Sequence, residues 1–439
     1  MDNVNYSAEV FPEVLSVPKL VSIFSPEPGY HSPDGSLEAD SIVRRLEAAR
    51  LQKAGLSERE AWNRVFTAGV GLGNGCSNVI CGLLRSMSEL SSRSQNKAER
   101  NEVLIFAPCY TVYSATCWAL TPRLRSRLVS TTEERGFLPT RLELERVARE
   151  STLAVILAVP GNPAQTSYGS ERTVPSHELR EIVTFCQSAG IYLILDSIYQ
   201  DLMFDNSENF IEPFEVTEDP TFITKVYGCS KDTPFFSGYR TGYWIGDPSL
   251  VESYRRFISA SQNSPHTLSL LLFAVNLLFK ALRLERRLLE TEDLEVFNRG
   301  LLGWNRRIDV RSCTRALQSN NIFEIYEDAI RIAEDIQRKA LAECRLWGEG
   351  SPVIQTVVNN NIGHLLWFRV EEEVFPGDDV AFFNFMARAG VGIIPGSAFG
   401  VPRKSGGLWF RITTIHEPLR DILKGLELLE AVLLARTSH

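Results

Sequence analysis

No two cysteines in this chain stand in a C-x-x-C spacing. Eight in 439 residues (Cys76, Cys81, Cys109, Cys117, Cys186, Cys229, Cys313 and Cys344) are too sparse for a disulfide framework. Free thiols in a reducing compartment are the expectation, and no zinc centre. Long apolar runs are lacking too: the longest, residues 268–279, is interrupted by Ser269 and Asn276 and is too short to span a bilayer. The opening MDNVNYSAEVFPEV carries acids where a secretory leader carries bases and has no continuous apolar centre, so it does not read as a signal peptide. A cytoplasmic protein is the expectation. Positive charge is in the minority, with Lys+Arg 46 against Asp+Glu 54 and a net charge of -8, which leaves no general footprint for nucleic acid or an anionic membrane. What is present, 44% apolar and 23% charged residues, describes a folded chain of roughly two or three domains.

Residues 1–40 read as an N-terminal arm rich in Pro, Ser and Gly, in which Tyr30 is a candidate substrate contact and an incidental surface aromatic is the plainer account. Helical spacing follows, with Ser57 and Glu60 placed as a capping box. Gly69, Gly71, Gly73 and Gly75 then precede Cys76, Ser77 and an apolar helical run. A glycine-rich turn at a helix N-terminus exposes N–H donors at the positive end of the helix dipole, which favours a phosphate; a turn needed only for close packing explains the glycines equally.

From Val103 onward apolar strands alternate with helices. VLIFA leads to Pro108, Tyr110 and Tyr113; LAVILAVP leads to Asn162; IYLILD ends on Asp196, with Tyr199 three residues on; FITKVYGCSK ends on Lys231. Nearly continuous β-branched and Leu-rich strands between helices predict a mostly parallel sheet covered on both faces, which gathers these residues at one edge, where open α/β sheets bind ligands. A carboxylate at the end of a buried strand needs a cation or strong donor, and a lysine on a turn beside it is placed for a lowered pKa and nucleophilic work. Arg240, nine residues after Lys231, offers a planar fork to a phosphate.

In order, the segments NGCSN, PCY, GNP, DSIY, SKD, GYRTGY, PGSAFG and WFR resemble fold-type I pyridoxal-phosphate enzymes of the class I/II aminotransferase superfamily, with some likeness to the 1-aminocyclopropane-1-carboxylate synthase branch. The resemblance implies pyridoxal 5'-phosphate as cofactor, an amino acid as substrate and a homodimer. It implies Lys231 as the lysine that binds the cofactor covalently and moves a proton, and Asp196 as the carboxylate on the pyridine nitrogen. Asn162 and Tyr199 would bind the ring's phenolic oxygen, and Tyr110 would stack on its face. Gly75, Cys76, Ser77, Ser230 and Arg240 would hold the phosphate, and Arg411 of Trp409-Phe410-Arg411 the substrate carboxylate. Departures are visible at Gly228, where the family often has a hydroxyl residue, at Gln165, where its N-P-x-G has glycine, and in the DTPFFSGY spacer, one residue longer than common.

The expected architecture is a large α/β domain, residues 41–290, with a mostly parallel seven-stranded-type sheet, followed by interdomain helices and a small α+β domain, residues 291–439. The helical region before residue 350 reads as interrupted at Gly300, Gly303 and Asn320-Asn321. The expected function is transamination. The alternative is γ-elimination, γ-replacement or cyclisation on an amino acid such as S-adenosylmethionine. A cofactor-binding regulator and a nucleotide-dependent dehydrogenase are the remaining readings. The set of Lys231, Asp196, Tyr199 and Arg411 argues against the first, and the placement of the glycines against the second.

Overall fold

Five apolar runs form the centre of a seven-stranded sheet in a computed structural model that describes residues 37–93, 100–120, 123–169, 173–204, 210–233, 236–290, 293, 321–371, 373–375, 378–401, 407–415 and 417–437. Its strands are β1 (Gly69–Gly73), β2 (Glu102–Ala107), β3 (Arg125–Ser130), β4 (Thr152–Ala158), β5 (Tyr192–Asp196), β6 (Ile223–Tyr227) and β7 (Gly242–Gly246), in the order β1-β7-β6-β5-β4-β2-β3. Strands β2 to β6 pair in parallel, and β7 runs antiparallel to both β6 and β1. The side chains of β4, β5 and β6 alternate between two apolar clusters. Val155, Leu157, Leu193, Leu195 and Ile223 pack on one face, and Ala154, Ile156, Ile194 and Val226 on the other. Burial on both faces keeps the β4 and β5 runs nearly continuous rather than alternating, while the charge within β6, Lys225, is buried against Glu47 and Glu212.

Helices α1 (Leu37–Lys53), α2 (Glu58–Thr67), α3 (Cys76–Arg93), α4 (Val112–Ala119), α5 (Arg141–Val147), α6 (Ser176–Ala189), α7 (Val251–Gln262) and α8 (Thr267–Glu285) accompany this sheet. The Ser57 and Glu60 capping box starts α2 as expected. His266 caps α8, its Nδ1 accepting from the Ser269 N–H at 3.4 Å. No helix among the described residues is long and apolar enough to cross a membrane, and the described cysteines are free thiols.

The glycine cluster departs from the expected turn. Gly69, Gly71 and Gly73 lie in edge strand β1, and Gly75, at φ +86°, makes the turn into α3. The cause is packing: a Cβ on Gly71 would sit 2.3 Å from Trp244 Nε1, and one on Gly69 2.7 Å from Val251 Cγ2. Because β7 separates β1 from the parallel strands, the cluster does not open a parallel βαβ unit.

Helix α9 (Ile322–Gly350) is continuous over 29 residues and starts directly after Asn321, whose φ of +49° is left-handed. The break read at Asn321 is thus a helix start; Gly300, Gly303 and Asn320 lie outside the described residues. Beyond α9 a second, antiparallel sheet has the order β10-β11-β9-β8, built from β8 (Ile354–Val358), β9 (Leu365–Val370), β10 (Ile394–Pro395) and β11 (Leu408–Thr413). Helices α9, α10 (Asp379–Arg388) and α11 (Leu419–Thr437) share its apolar core.

Candidate active site

Parallel strands β2, β4, β5 and β6 end on the same edge of the large sheet, so the loops after them converge. The second sheet sits over that edge through backbone bonds from Cys109 N–H to the Phe399 carbonyl at 3.0 Å and from Gly363 N–H to the Leu202 carbonyl at 2.8 Å. Between them is a cavity of about 250 Å³ lined by Cys76, Ser77, Tyr110, Asn162, Asp196, Tyr199, Ser230, Lys231, Arg240 and Arg411. Every candidate site residue but two therefore lines one cavity. Gly75 adjoins it beneath the Arg240 guanidinium, and Tyr30 lies outside the described residues.

Asp196 closes β5 and is buried. Tyr113 Oη donates to its Oδ2 at 2.7 Å, and the Ile198 N–H donates to Oδ1 at 3.3 Å. Burial pushes the carboxyl above its usual range, against the pull of these two donors and of the Lys231 amine. Lys231, half-buried, is moved the other way: burial, then the Arg411 and Arg240 guanidiniums, lower its pKa below that of an ordinary lysine. Burial also raises the Tyr199 phenol, against the pull of the Arg411 guanidinium. A base with a lowered pKa and an acid with a raised one face the same space, the pattern expected of groups that exchange protons or meet a charged ligand.

At one end of the cavity Arg240, itself at φ +53°, brings its guanidinium over Gly75; a Cβ there would meet Arg240 Nη2 at 2.6 Å. The first turn of α3 and Ser230 complete a donor set suited to a phosphate. Arg240 thus reaches the cavity wall beside Gly75 in a left-handed conformation. Gly228 is explained here too. A Cβ on it would lie 2.9 Å from Cys76 Sγ and 2.9 Å from the Thr241 carbonyl, so the Cys76 side chain fills the room a residue at 228 would take. Burial, then Asp196, holds that thiol neutral, well above its usual pKa.

At the other end Arg411, on β11, donates from Nη1 to Asn162 Oδ1 at 3.1 Å and packs over the Phe399 ring at 5.0 Å. Its Nε is buried without a partner among the described residues. A half-buried guanidinium so incompletely bonded is placed for a carboxylate. Gln165 takes φ +50°, the conformation for which glycine is the usual choice, and its amide lies against Gly363 in the loop between β8 and β9. Ile80, Tyr113, Ile198, His364, Leu365 and Thr413 also line the cavity. Of these the sequence places Tyr113 at the same strand end as Tyr110, and spacing offers a signal for Thr413, which lies two residues after Arg411 on one strand and shares its face.

The family model described as aminotransferase class I and II matches residues 72–284. Over this segment, just under half of its length, the chain is similar to the class I and II aminotransferases. A putative aminotransferase, YugH, of Bacillus subtilis is 29% identical over 150 residues, 34% of this chain and 36% of the relative. An aspartate/prephenate aminotransferase of Thermus thermophilus is 25% identical over 258 residues, 57% of this chain and 62% of the relative. The match thus spans less than two thirds of either relative. Among solved structures, aspartate aminotransferase from Thermus thermophilus with maleate superposes with a TM-score of 0.65 at 17% identity, covering 98% of this chain and 89% of that one. Aromatic aminotransferase from Pyrococcus horikoshii superposes with a TM-score of 0.65 at 18% identity, covering 99% and 93%. These superpositions confirm the aminotransferase fold, with its mixed seven-stranded and smaller antiparallel sheets. Pyridoxal phosphate, the cofactor of the class, fits the residues present: a buried carboxylate faces the cavity, a lysine of lowered pKa stands beside it, and a donor cradle closes one end.

Proposed function

We propose that the chain is a pyridoxal-phosphate-dependent aminotransferase acting on an α-amino acid. The observation that carries this reading is that Asp196 and Lys231 share one cavity with an anion cradle at one end and Arg411 at the other. Bound pyridoxal phosphate supplies an aldehyde that condenses with an amine, releasing water, and a ring that accepts the electron pair left at the substrate's α-carbon.

This chain's residues do the rest. The α3 N-terminus, Ser77, Ser230 and Arg240 hold the phosphate, with Gly75 and Cys76 contributing backbone donors. Asp196, kept ionic by a pyridinium proton and oriented by Tyr113, holds the ring nitrogen. Asn162 and Tyr199 bind the phenolic oxygen, and Tyr110 covers one ring face. Lys231 Nζ, whose pKa burial and the Arg411 and Arg240 guanidiniums lower, would be the amine that holds the aldehyde group until a substrate amine replaces it. It then takes the proton from the substrate Cα. Arg411 grips the α-carboxylate, aimed by Asn162. The bound group would supply a carrier for the amino group between an amino acid and a keto acid, with water providing the keto oxygen.

The relatives and structures described above are named as aminotransferases, which favours transamination over the elimination alternative; the synthase likeness has no support from them. Residues 41–290 and 291–439 are proposed as the two main units, because the large sheet falls within the first and the antiparallel sheet within the second. A homodimer is proposed from the resemblance, and sedimentation velocity of the active enzyme tests it.

Purified protein supplied with pyridoxal phosphate should show a visible band that borohydride bleaches and fixes to Lys231, and Lys231→Ala should lose both. Incubation with amino acids should then yield keto acid in equal amount to pyridoxamine phosphate. A band that survives Lys231→Ala unchanged would refute the assignment, and released side-chain fragments without pyridoxamine phosphate would overturn transamination.

A further inference from the structure

The apolar run in the middle of α8 is broken by Asn276, and Lys280 lies one helical turn on, so both side chains share a face. That face meets the underside of the turn that carries Lys231. Asn276 Nδ2 donates to Cys229 Sγ at 2.8 Å and to Thr233 Oγ1 at 3.3 Å, and Thr233 Oγ1 donates to Asp232 Oδ1 at 3.0 Å. Lys280 Nζ lies 3.0 Å from Asp232 Oδ2 and 2.9 Å from Asp201 Oδ2. Asp201 follows Tyr199 by two residues. Tyr227 Oη donates to Asp201 Oδ2 at 2.6 Å and also meets Asp232 Oδ2. Arg50 Nη2 pairs with Asp201 at 2.9 Å. Tyr326 on α9 donates to Asn276 Oδ1 at 2.8 Å.

We propose that Asn276 and Lys280 are positioning residues for Lys231, gripping the buried side of turn 229–233 and locking it to the Tyr199 turn through Asp201. The inference rests on the reading of Lys231 as the covalent anchor. Ser230 and Lys231 face the cavity, whereas Cys229, Asp232 and Thr233 are buried beneath it. The turn is therefore held entirely from below, and each of its three buried side chains has a partner on α8 or reaches one through its neighbour. Lys280 is the shared element. Two carboxylates at hydrogen-bond distance from one ammonium cannot separate while it is there, so Lys231 and the Tyr199 phenol keep a fixed spacing across the cavity. Without it Asp201 retains Arg50, but Asp232 loses its cation, and only the neutral Tyr227 hydroxyl and Asn276 amide still hold the turn. The polar break in α8, costly in an apolar helix, is accounted for by this contact.

The groups that face Lys231 itself are Asp196, Arg411, Arg240, Tyr199 and Cys76. None lies on α8, so a change on α8 reaches Lys231 only through the turn or through the field of a buried charge. Lys280→Arg separates the two routes, because it keeps the charge and alters the reach.

The test is a pH titration of the visible band of the pyridoxal-phosphate-loaded protein, with cofactor dissociation constants and steady-state kinetics, for the wild type, Lys280→Met, Lys280→Arg, Asn276→Leu and Asp232→Asn. In Lys280→Met the band's midpoint should move by about half a unit or more, and the cofactor dissociation constant should rise about tenfold, equivalent to one unit of pKa-scale free energy. The kcat should fall while KM for the amino acid stays nearly constant, since Arg411 is untouched. Asn276→Leu and Asp232→Asn should show the same pattern, more weakly, and Lys280→Arg should recover part of it. If Lys280→Met does not fold, the Asn276 and Asp232 variants decide by the same readouts. Variants that lose thermal stability but keep the wild-type midpoint, dissociation constant and kcat would reduce the network to a structural one and overturn the proposal. A wild type with no Lys231-dependent band would instead remove the functional reading on which it rests.

Discussion

Asp196 is held in a state that suits a ligand better than it suits the free protein. Burial raises its carboxyl pKa, and Tyr113 Oη and the Ile198 N–H only partly offset that. The sign follows directly. A carboxyl with a raised folded-state pKa stabilises the fold below its unfolded value, about 3.9, and that contribution is lost as pH rises toward and through the folded value. Asparagine cannot ionise and still offers Tyr113 an acceptor. Asp196→Asn should therefore raise the stability of the cofactor-free protein at neutral pH, by a margin that widens from about pH 4 upward and then levels off. Denaturant melts at a series of pH values measure this; a margin independent of pH would contradict the assignment. The same variant should bind pyridoxal phosphate far more weakly, because the pyridinium proton loses its counter-charge. A substitution that stabilises the empty protein while weakening cofactor binding separates a site residue from a core residue.

Strand β1, helix α3 and the turn into Lys231 show how one element's glycines depend on another's bulk. Gly69, Gly71 and Gly73 admit Val251, Trp244 and Tyr254 against the edge strand, and Gly228 admits Cys76. Gly228→Ser, which would restore the hydroxyl common in the family, should destabilise the protein by about 1–3 kcal/mol through overpacking. Adding Cys76→Ala should return part of it, because the Sγ contact is removed while the Thr241 carbonyl remains. Urea melts of the single and double variants are the measurement, and strict additivity would show that the two positions do not meet. The parallel strands and the residues at their ends were legible in the sequence, because strand ends fall on one edge whatever the loops do. Arg411 was legible only by resemblance, since its approach to Asn162 depends on how the second sheet sits. The role of β1 was not legible: glycine in an edge strand and glycine in a phosphate turn look alike until Trp244 is seen against it. Tyr110 and Tyr113 both read as aromatics at the ligand edge of the sheet, but nothing in the sequence tells whose hydroxyl reaches Asp196. The α8 network stayed hidden because Asn276 reaches Cys229 and Thr233, and Lys280 reaches Asp232 and Asp201, across long separations in the chain.

Across the whole molecule, the two sheets meet at the cavity through few polar links, and Arg411 is the one that carries charge into it. Asn162 binds one of its nitrogens, Nε has no partner among the described residues, and burial lowers its pKa. The Gln165 amide lies beside Gly363, where a Cβ would come within 1.6 Å of Oε1, so the loops on either side of the cavity are fitted at that point as well. A carboxylate bound by Arg411 would complete the guanidinium's hydrogen bonds and be held by groups from both sheets. Binding should then stabilise the assembled molecule rather than one sheet. With pyruvate or 2-oxoglutarate as probe at about one hundred times its dissociation constant, linkage gives about 2.7 kcal/mol, seen as a rise in Tm of the cofactor-loaded protein. In Arg411→Met that rise should vanish. The ligand-free variant should melt no lower than the wild type, because an apolar side chain replaces a cation whose desolvation is incompletely offset. If Arg411→Met melts well below the wild type without any carboxylate, the guanidinium is holding the sheets together by itself. If the Tm rise persists in the variant, the carboxylate binds elsewhere.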